Sequence, residues 1–299
     1  MAMGLMIPWG DIQTGRVPTI RDYEVTAKEI LYHIGVHPDI FKGAAFIGSI
    51  VRGDLSAPRS DLDLVIVARD RSLLQARNIA RDFRRIAADR RVHLELDVVG
   101  AHEAYFSPRL GPSYKETLRL CVPEFSAGIP LADCFRVPPG DIQQEMLEKM
   151  LFKLRSARAR CGHFLNACLH LDSGSDRAIE SWIESCWYRE VRPLRMHVRL
   201  GRRLLWWHHG SLSHDGKKDV IEQFLGNPSF APFHPNYREM VCLNRRYDDL
   251  LSRACDGQVK RVHYLRKVGR IVNRYFRKSI PLLRDVLGFM EPSSIRRAA

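Results

Sequence analysis

The chain has 299 residues, a formal net charge of +13 and 45% hydrophobic residues, enough for one large or two ordinary domains with a sizeable core. It has no apolar run of about eighteen residues, which argues against a transmembrane helix, and its N-terminal MAMGLMIPWGDIQ lacks the charged region and apolar length of a signal peptide. Seven cysteines, odd in number and irregularly spaced, fit reduced thiols, so a cytoplasmic protein with no membrane partner is expected.

In chain order, residues 22–35 place Val25, Ile30, Leu31 and Ile34 at helical spacing and end at Gly35. Apolar residues over 43–50 and 61–68 predict two strands. Between Arg71 and Arg91, Leu74, Ile79, Phe83, Ile86 and Ala87 recur as a helical stripe on an arginine-rich background. Residues 92–99 (VHLELDVV) alternate strictly, as a third strand does. From about 107 to 140 the chain is rich in Pro and Gly and reads as irregular, lid-like and ending in a linker. Beyond it the pattern is helical: 141 to about 171, a long helix over 177–209, shorter ones near 217–225 and 236–255, and a last one over 258–287, kinked or capped at Pro281.

The most informative segment is Gly48-Ser49-Ile50-Val51-Arg52-Gly53-Asp54 followed by Ser60-Asp61-Leu62-Asp63-Leu64-Val65-Ile66-Val67. Alternate residues of a strand share a face, so Asp61 and Asp63 point the same way. Two carboxylates side by side repel unless a cation lies between them, and hard oxygen donors at this spacing suit Mg²⁺ with substrate phosphates. Glu95 and Asp97 share a face of the third strand in the same way. A Walker A loop, a Rossmann glycine fingerprint and a nucleophile elbow are all missing from the sequence.

The Gly-Ser turn after an apolar residue, Ile47, with Asp61-Leu62-Asp63 following after eleven intervening residues, resembles the signature of the nucleotidyltransferase superfamily related to DNA polymerase β. The loop Arg-Gly-Asp and the Ser before the first Asp look most like its minimal and antibiotic-modifying members. The resemblance covers roughly residues 43 to 100. It implies an α/β (α+β) mixed-sheet catalytic core over residues 1–138, followed by an all-helical, basic acceptor-binding domain over 139–299. It also implies a two-metal Mg²⁺ site and a nucleoside triphosphate substrate, with ATP favoured. Asp61 and Asp63 would be metal ligands and catalytic residues. Asp97 is placed first as third ligand or base, with Glu95 next. Gly48 and Ser49 would meet the triphosphate, helped by Arg52, then Arg59, while Ser60 holds the loop or contacts phosphate.

Charge is uneven: residues 1–140 carry 18 Lys+Arg against 17 Asp+Glu, and residues 141–299 carry 29 against 17. The basic half attracts polyanions, so RNA or tRNA is an expected acceptor. A small hydroxylated molecule such as an aminoglycoside, a protein target (AMPylation), a toxin-type activity, and a silent nucleotide- or RNA-binding protein are the alternatives. Lys149, Lys153 and Arg155 are further phosphate candidates. The stripe from Arg261 to Lys278, with Tyr264 and Tyr275 interleaved, is the candidate nucleic-acid face. Trp206 and Trp207 are weighed as a stacking platform, with a core role preferred for at least one.

Overall fold

Strand-and-helix alternation in the first half and continuous helical periodicity in the second produce two units with separate cores: Pro18–Asp141, and Met1–Val17 together with Ile142–Ala299. The computed structural model describes residues 6–106, 122–135, 142–169, 176–188, 193–210 and 215–295. The first unit is mixed α/β with a four-stranded mixed sheet, and the second is helical. The division falls near the expected boundary, but the N-terminal residues up to Val17 belong to the helical unit rather than to the sheet.

In the first unit, α2 (Ile20–Gly35) starts at a capping box between Thr19 and Asp22. It buries Tyr23, Ala27, Ile30 and Ile34 at helical spacing. Strand β1 (Phe41–Ile47) pairs antiparallel with β2 (Asp61–Ala68), which pairs parallel with β3 (His93–Gly100). The parallel return is made through α3 (Leu73–Asp89). Helix α3 buries Ala76, Ala80, Phe83 and Ala87; the three alanines let it lie close to its neighbours and Phe83 fills the core, while Leu74, expected in the stripe, is exposed. The sheet order is β3-β2-β1-β4. Edge strand β4 (Ser126–Gly128) and the short helices α4 (Ala101–Phe106) and α5 (Leu131–Cys134) complete the unit. Strand β4 and α5 lie inside the stretch read as irregular; residues 107–121 and 136–140 of that stretch are outside the described residues.

Period-two alternation along β2 splits its side chains between two cores. Leu62, Leu64, Ile66 and Ala68 join the cluster built with α2 and α3. Val65 and Val67 face the other way, into a smaller cluster with Ala104, Leu131 and Phe135. Asp61 and Asp63 share that second face at the start of the strand.

The helical unit contains α1 (Trp9–Gln13), α6 (Ile142–Leu169), α7 (Asp176–Tyr188), α8 (Met196–His209), α9 (Lys217–Gly226), α10 (His234–Cys255) and α11 (Arg261–Ile295). The helix expected over 177–209 is two helices. Pro193 opens a 3₁₀ turn, Pro193–Arg195, before α8, a first-turn position where its missing N–H is tolerated. Helix α11 instead runs through Pro281. The N-terminal segment is held by tyrosines. The Ile7 N–H donates to Tyr247 Oη (2.9 Å), and the Tyr264 hydroxyl donates to the Ile7 carbonyl (2.9 Å). A hydroxyl has one proton, so the Tyr247 hydroxyl is the donor in its 3.0 Å bond to Tyr264. Among the described residues no helix is long and apolar enough to cross a membrane.

Candidate functional site

Strand register assembles the site. Ile47 is opposite Asp63 on one side, and on the other Asp61 and Asp63 stand beside His93 and Glu95. In-register residues of paired strands share a face, so one carboxylate oxygen from each of Asp61, Asp63 and Glu95 falls within 4.8 Å of the others. At about 4 Å, two like charges repel by roughly 4 kcal/mol at an effective dielectric of 20. Asp61 is also buried. A shared divalent cation turns that repulsion into attraction, and three hard oxygen donors suit Mg²⁺.

Asp97 is not in the cluster. It stands two residues further along β3, opposite Val65, and is exposed. The register sets Glu95, and not Asp97, level with Asp63, and Asp97 has passed the acidic end of β2. His93, which sequence reasoning did not single out, is buried beside Asp61. Its signal in the sequence was its place two residues before Glu95 on the alternating strand.

Directly after β1, Gly48 adopts φ +82°, a left-handed conformation that favours glycine. A Cβ there would lie 2.5 Å from Asp63 Oδ2. The turn thus passes its backbone against the carboxylate as only glycine can. Ser49 is buried, and its hydroxyl donates to the Asp61 carbonyl over 3.4 Å, tying the turn to the start of β2.

The loop between the strands is braced from within. The Tyr23 hydroxyl reaches the carbonyls of Pro58 (2.9 Å) and Ser60 (2.8 Å), and Ser60 Oγ accepts from the Ser56 N–H (2.8 Å). Ser60 therefore holds the loop. Arg59 is completely buried, whereas Arg52 keeps partial exposure with its Nε 3.7 Å from Asp54. Of the two loop cations, Arg52 is the one with solvent access.

The helical unit's expected features divide. Lys149 pairs with Glu145 (2.6 Å), Arg155 is exposed, and Lys153 lines a cavity. Trp207 is buried, and Trp206 packs against the core with Arg202 over its ring. Tyr264 and Tyr275 are wholly buried, Tyr275 accepting from the His197 N–H (2.9 Å), so neither is a surface stacking platform. Within the same stripe Arg261 is paired with Glu180, and Arg274 and Lys278 with Glu239. Comparison of the chain with protein-family models, with curated proteins and with solved structures found no match.

Proposed function

We propose that this chain is a Mg²⁺-dependent nucleotidyltransferase with a nucleotidyltransferase-like core, moving a nucleoside monophosphate from a nucleoside triphosphate to an acceptor hydroxyl. The observation that carries the reading is the meeting of Asp61, Asp63 and Glu95 donor atoms within 4.8 Å, with Asp63 against the backbone of the Gly48 turn. Either feature alone is common; a carboxylate trio with one member, Asp63, against a glycine turn is what the resemblance to the nucleotidyltransferase signature implies.

The donor set fits magnesium, which prefers one or more carboxylates plus substrate phosphate oxygens. Bound there, the metal would neutralise charge on the triphosphate and on the attacking and leaving oxygens. Asp61 and Asp63 would hold it, and Glu95 would complete the ligand set or take the acceptor's proton. The Gly48-Ser49 turn receives the phosphates, with Arg52 offsetting their charge. The acceptor oxygen bonds to the α-phosphorus, the bond to the bridging oxygen breaks, and pyrophosphate carries that electron pair away. The resemblance of the Gly-Ser and Asp-x-Asp signature favours ATP.

For the acceptor we favour RNA over a cationic antibiotic, because residues 141–299 carry 29 Lys+Arg against 17 Asp+Glu. The test is incubation with α-³²P-labelled nucleoside triphosphates and Mg²⁺, with total RNA, an aminoglycoside panel, or the protein alone. Label should move to RNA, and Asp61→Asn or Asp63→Asn should reduce transfer at least about a thousand-fold. Label transfer that persists in both variants, or no transfer to any acceptor, would end the proposal.

A further inference from the structure

One cavity of the helical unit is lined by five basic residues, Lys153, Arg160, Arg195, Arg199 and Arg203, together with the apolar Met150, Met196, Leu200 and Leu283. The enclosed space between them is small, about 10 Å³, and it opens to solvent, so an anion would seat its oxygens at the mouth and not inside a chamber. Among the described residues lining it, none is acidic. We propose that this cavity of the helical unit binds the oligophosphate group of a small phosphorylated molecule, without help from Asp61 or Asp63.

Helical spacing builds it. Lys153 and Arg160 are seven residues apart on α6, and Arg195, Arg199 and Arg203 follow at four-residue steps from the 3₁₀ turn along α8. Each helix thus brings its cations to one face. Gathering them is costly. Burial, and then the charges of Arg199, Arg203, Arg160 and Arg195, push Lys153 down to about 6. Burial first, and Arg195 second, pull Arg203 to about 10, against the opposing attraction of Glu145. Arg203 Nη1 is cut off from solvent with no hydrogen-bond partner among the described residues. Arg195 stands at the N-cap of α8, where the helix dipole disfavours a cation. The orphaned Arg203 Nη1 and the depressed Lys153 are the two unmet costs, and a multiply charged anion at the mouth offsets both.

A compact oligophosphate suits the site better than a nucleic-acid strand. The cations converge on one cavity instead of following a groove, whereas a polymer's charges are spread along its length. The longer basic stripe on α11 has three of its cations occupied by Glu180 and Glu239. Arginine forks and a lysine point charge together match phosphate oxygens.

The test is calorimetric titration of the full chain with sodium tripolyphosphate at pH 7.5, in buffer freed of divalent cations. It is run on the wild type, on the Asp61→Asn/Asp63→Asn double variant, and on Lys153→Met, Arg203→Met and Arg203→Lys. One ligand per chain should bind wild type and double variant alike. Arg203→Met and Lys153→Met should each weaken binding about ten- to a hundred-fold, with Arg203→Lys in between. An anion restores the charge of Lys153, so in buffers of different ionisation enthalpy the wild type should take up as much as one proton more per ligand than Lys153→Met. Circular dichroism checks that each variant is folded; should Arg203→Met fail to fold, Lys153→Met with its proton count decides. No binding, binding lost in the double variant, binding indifferent to Lys153 and Arg203, or an RNA 20-mer that needs these residues while tripolyphosphate fails would each overturn the proposal. The double variant also separates this site from the proposed catalysis: transfer activity can vanish there while tripolyphosphate binding remains, and the reverse outcome in Lys153→Met would leave the catalytic reading intact.

Discussion

The acidic end of the sheet and the basic cavity of the helical unit both hold like charges at close quarters, but by different means. The carboxylates of Asp61, Asp63 and Glu95 are brought together by strand register, each carried on short side chains from fixed backbone. The cations around Lys153 are brought together by helical spacing and reach inward on long side chains. Short arms on a sheet give geometric definition, which metal coordination and in-line chemistry require. Long arms on helices give density of charge with adjustable positions, which suits capture of an anion. The teaching of the contrast is that one region is positioned and the other is concentrated, so they should fail differently when altered.

The sharpest way to break the first half of that contrast is to compare two acids on the same face of β3. Glu95→Gln should lower label transfer by about a hundred- to ten-thousand-fold. Asp97→Asn should stay within a few-fold of wild type, because it stands level with Val65 and beyond the acidic trio. Steady-state transfer rates for the two variants decide it. A larger loss in Asp97→Asn would mean that register does not choose the third carboxylate.

Gly48→Ala probes the same positioning from the turn. The added Cβ would lie 2.5 Å from Asp63 Oδ2, at a φ of +82° that side chains rarely adopt. Backbone strain of this kind costs about 1–3 kcal/mol. Asp63 must also shift, so activity should fall at least about ten-fold alongside the drop in urea midpoint. Full activity in a destabilised variant would show that the turn is structural and does not set the carboxylate.

How much of this was readable beforehand follows the same division. Asp61 and Asp63 are two apart on one strand, so their shared face is a local fact, and so is the exchange of Leu62 and Leu64 into the main core. The choice between Glu95 and Asp97 was not local, since both share the outward face and only the pairing of β3 with β2 selects one. Strand β4, three residues long among glycines and prolines, carries no alternation to read. Tyr264 and Tyr275 looked like interleaved aromatics because helical periodicity alone does not say which face of α11 meets the core. The cationic cavity was half visible. Arg195, Arg199 and Arg203 recur at four-residue steps, yet their meeting with Lys153 is a tertiary event. The missed break at Pro193 hid where α8 begins.

The concentrated region has its own signature in pH. Lys153 is pushed from 10.5 to about 6 in the folded chain, first by burial and then by the surrounding arginines. Between those values the unfolded chain binds more protons than the folded one. Stability therefore rises with pH across that window, and the penalty is complete below about pH 6. One group can contribute at most about 1.4 kcal/mol per pH unit, and partial exposure of Lys153 reduces this through solvent screening. Lys153→Met should be more stable than wild type at pH 6–7 and should flatten this slope, as measured by urea unfolding at several pH values. An unchanged slope would show that charge is not concentrated there.

The smallest expected effect tests how firmly the acidic region is positioned. The Tyr23 hydroxyl has one proton shared between the Pro58 carbonyl at 2.9 Å and the Ser60 carbonyl at 2.8 Å, immediately before Asp61. Tyr23→Phe keeps the ring in the core and removes only that bridge, so about 1 kcal/mol of stability should be lost. Ser60 Oγ still accepts from the Ser56 N–H, which keeps the loop closed at its base. Hydrogen exchange should accordingly quicken at the amides of residues 56–61 and stay unchanged along α3. Transfer activity should fall only a few-fold, since the three carboxylates are carried by strands and not by the loop. If Tyr23→Phe instead removed activity as Glu95→Gln does, the carboxylates would owe their placement to the loop, and register would cease to be the device that distinguishes this region from the helical one.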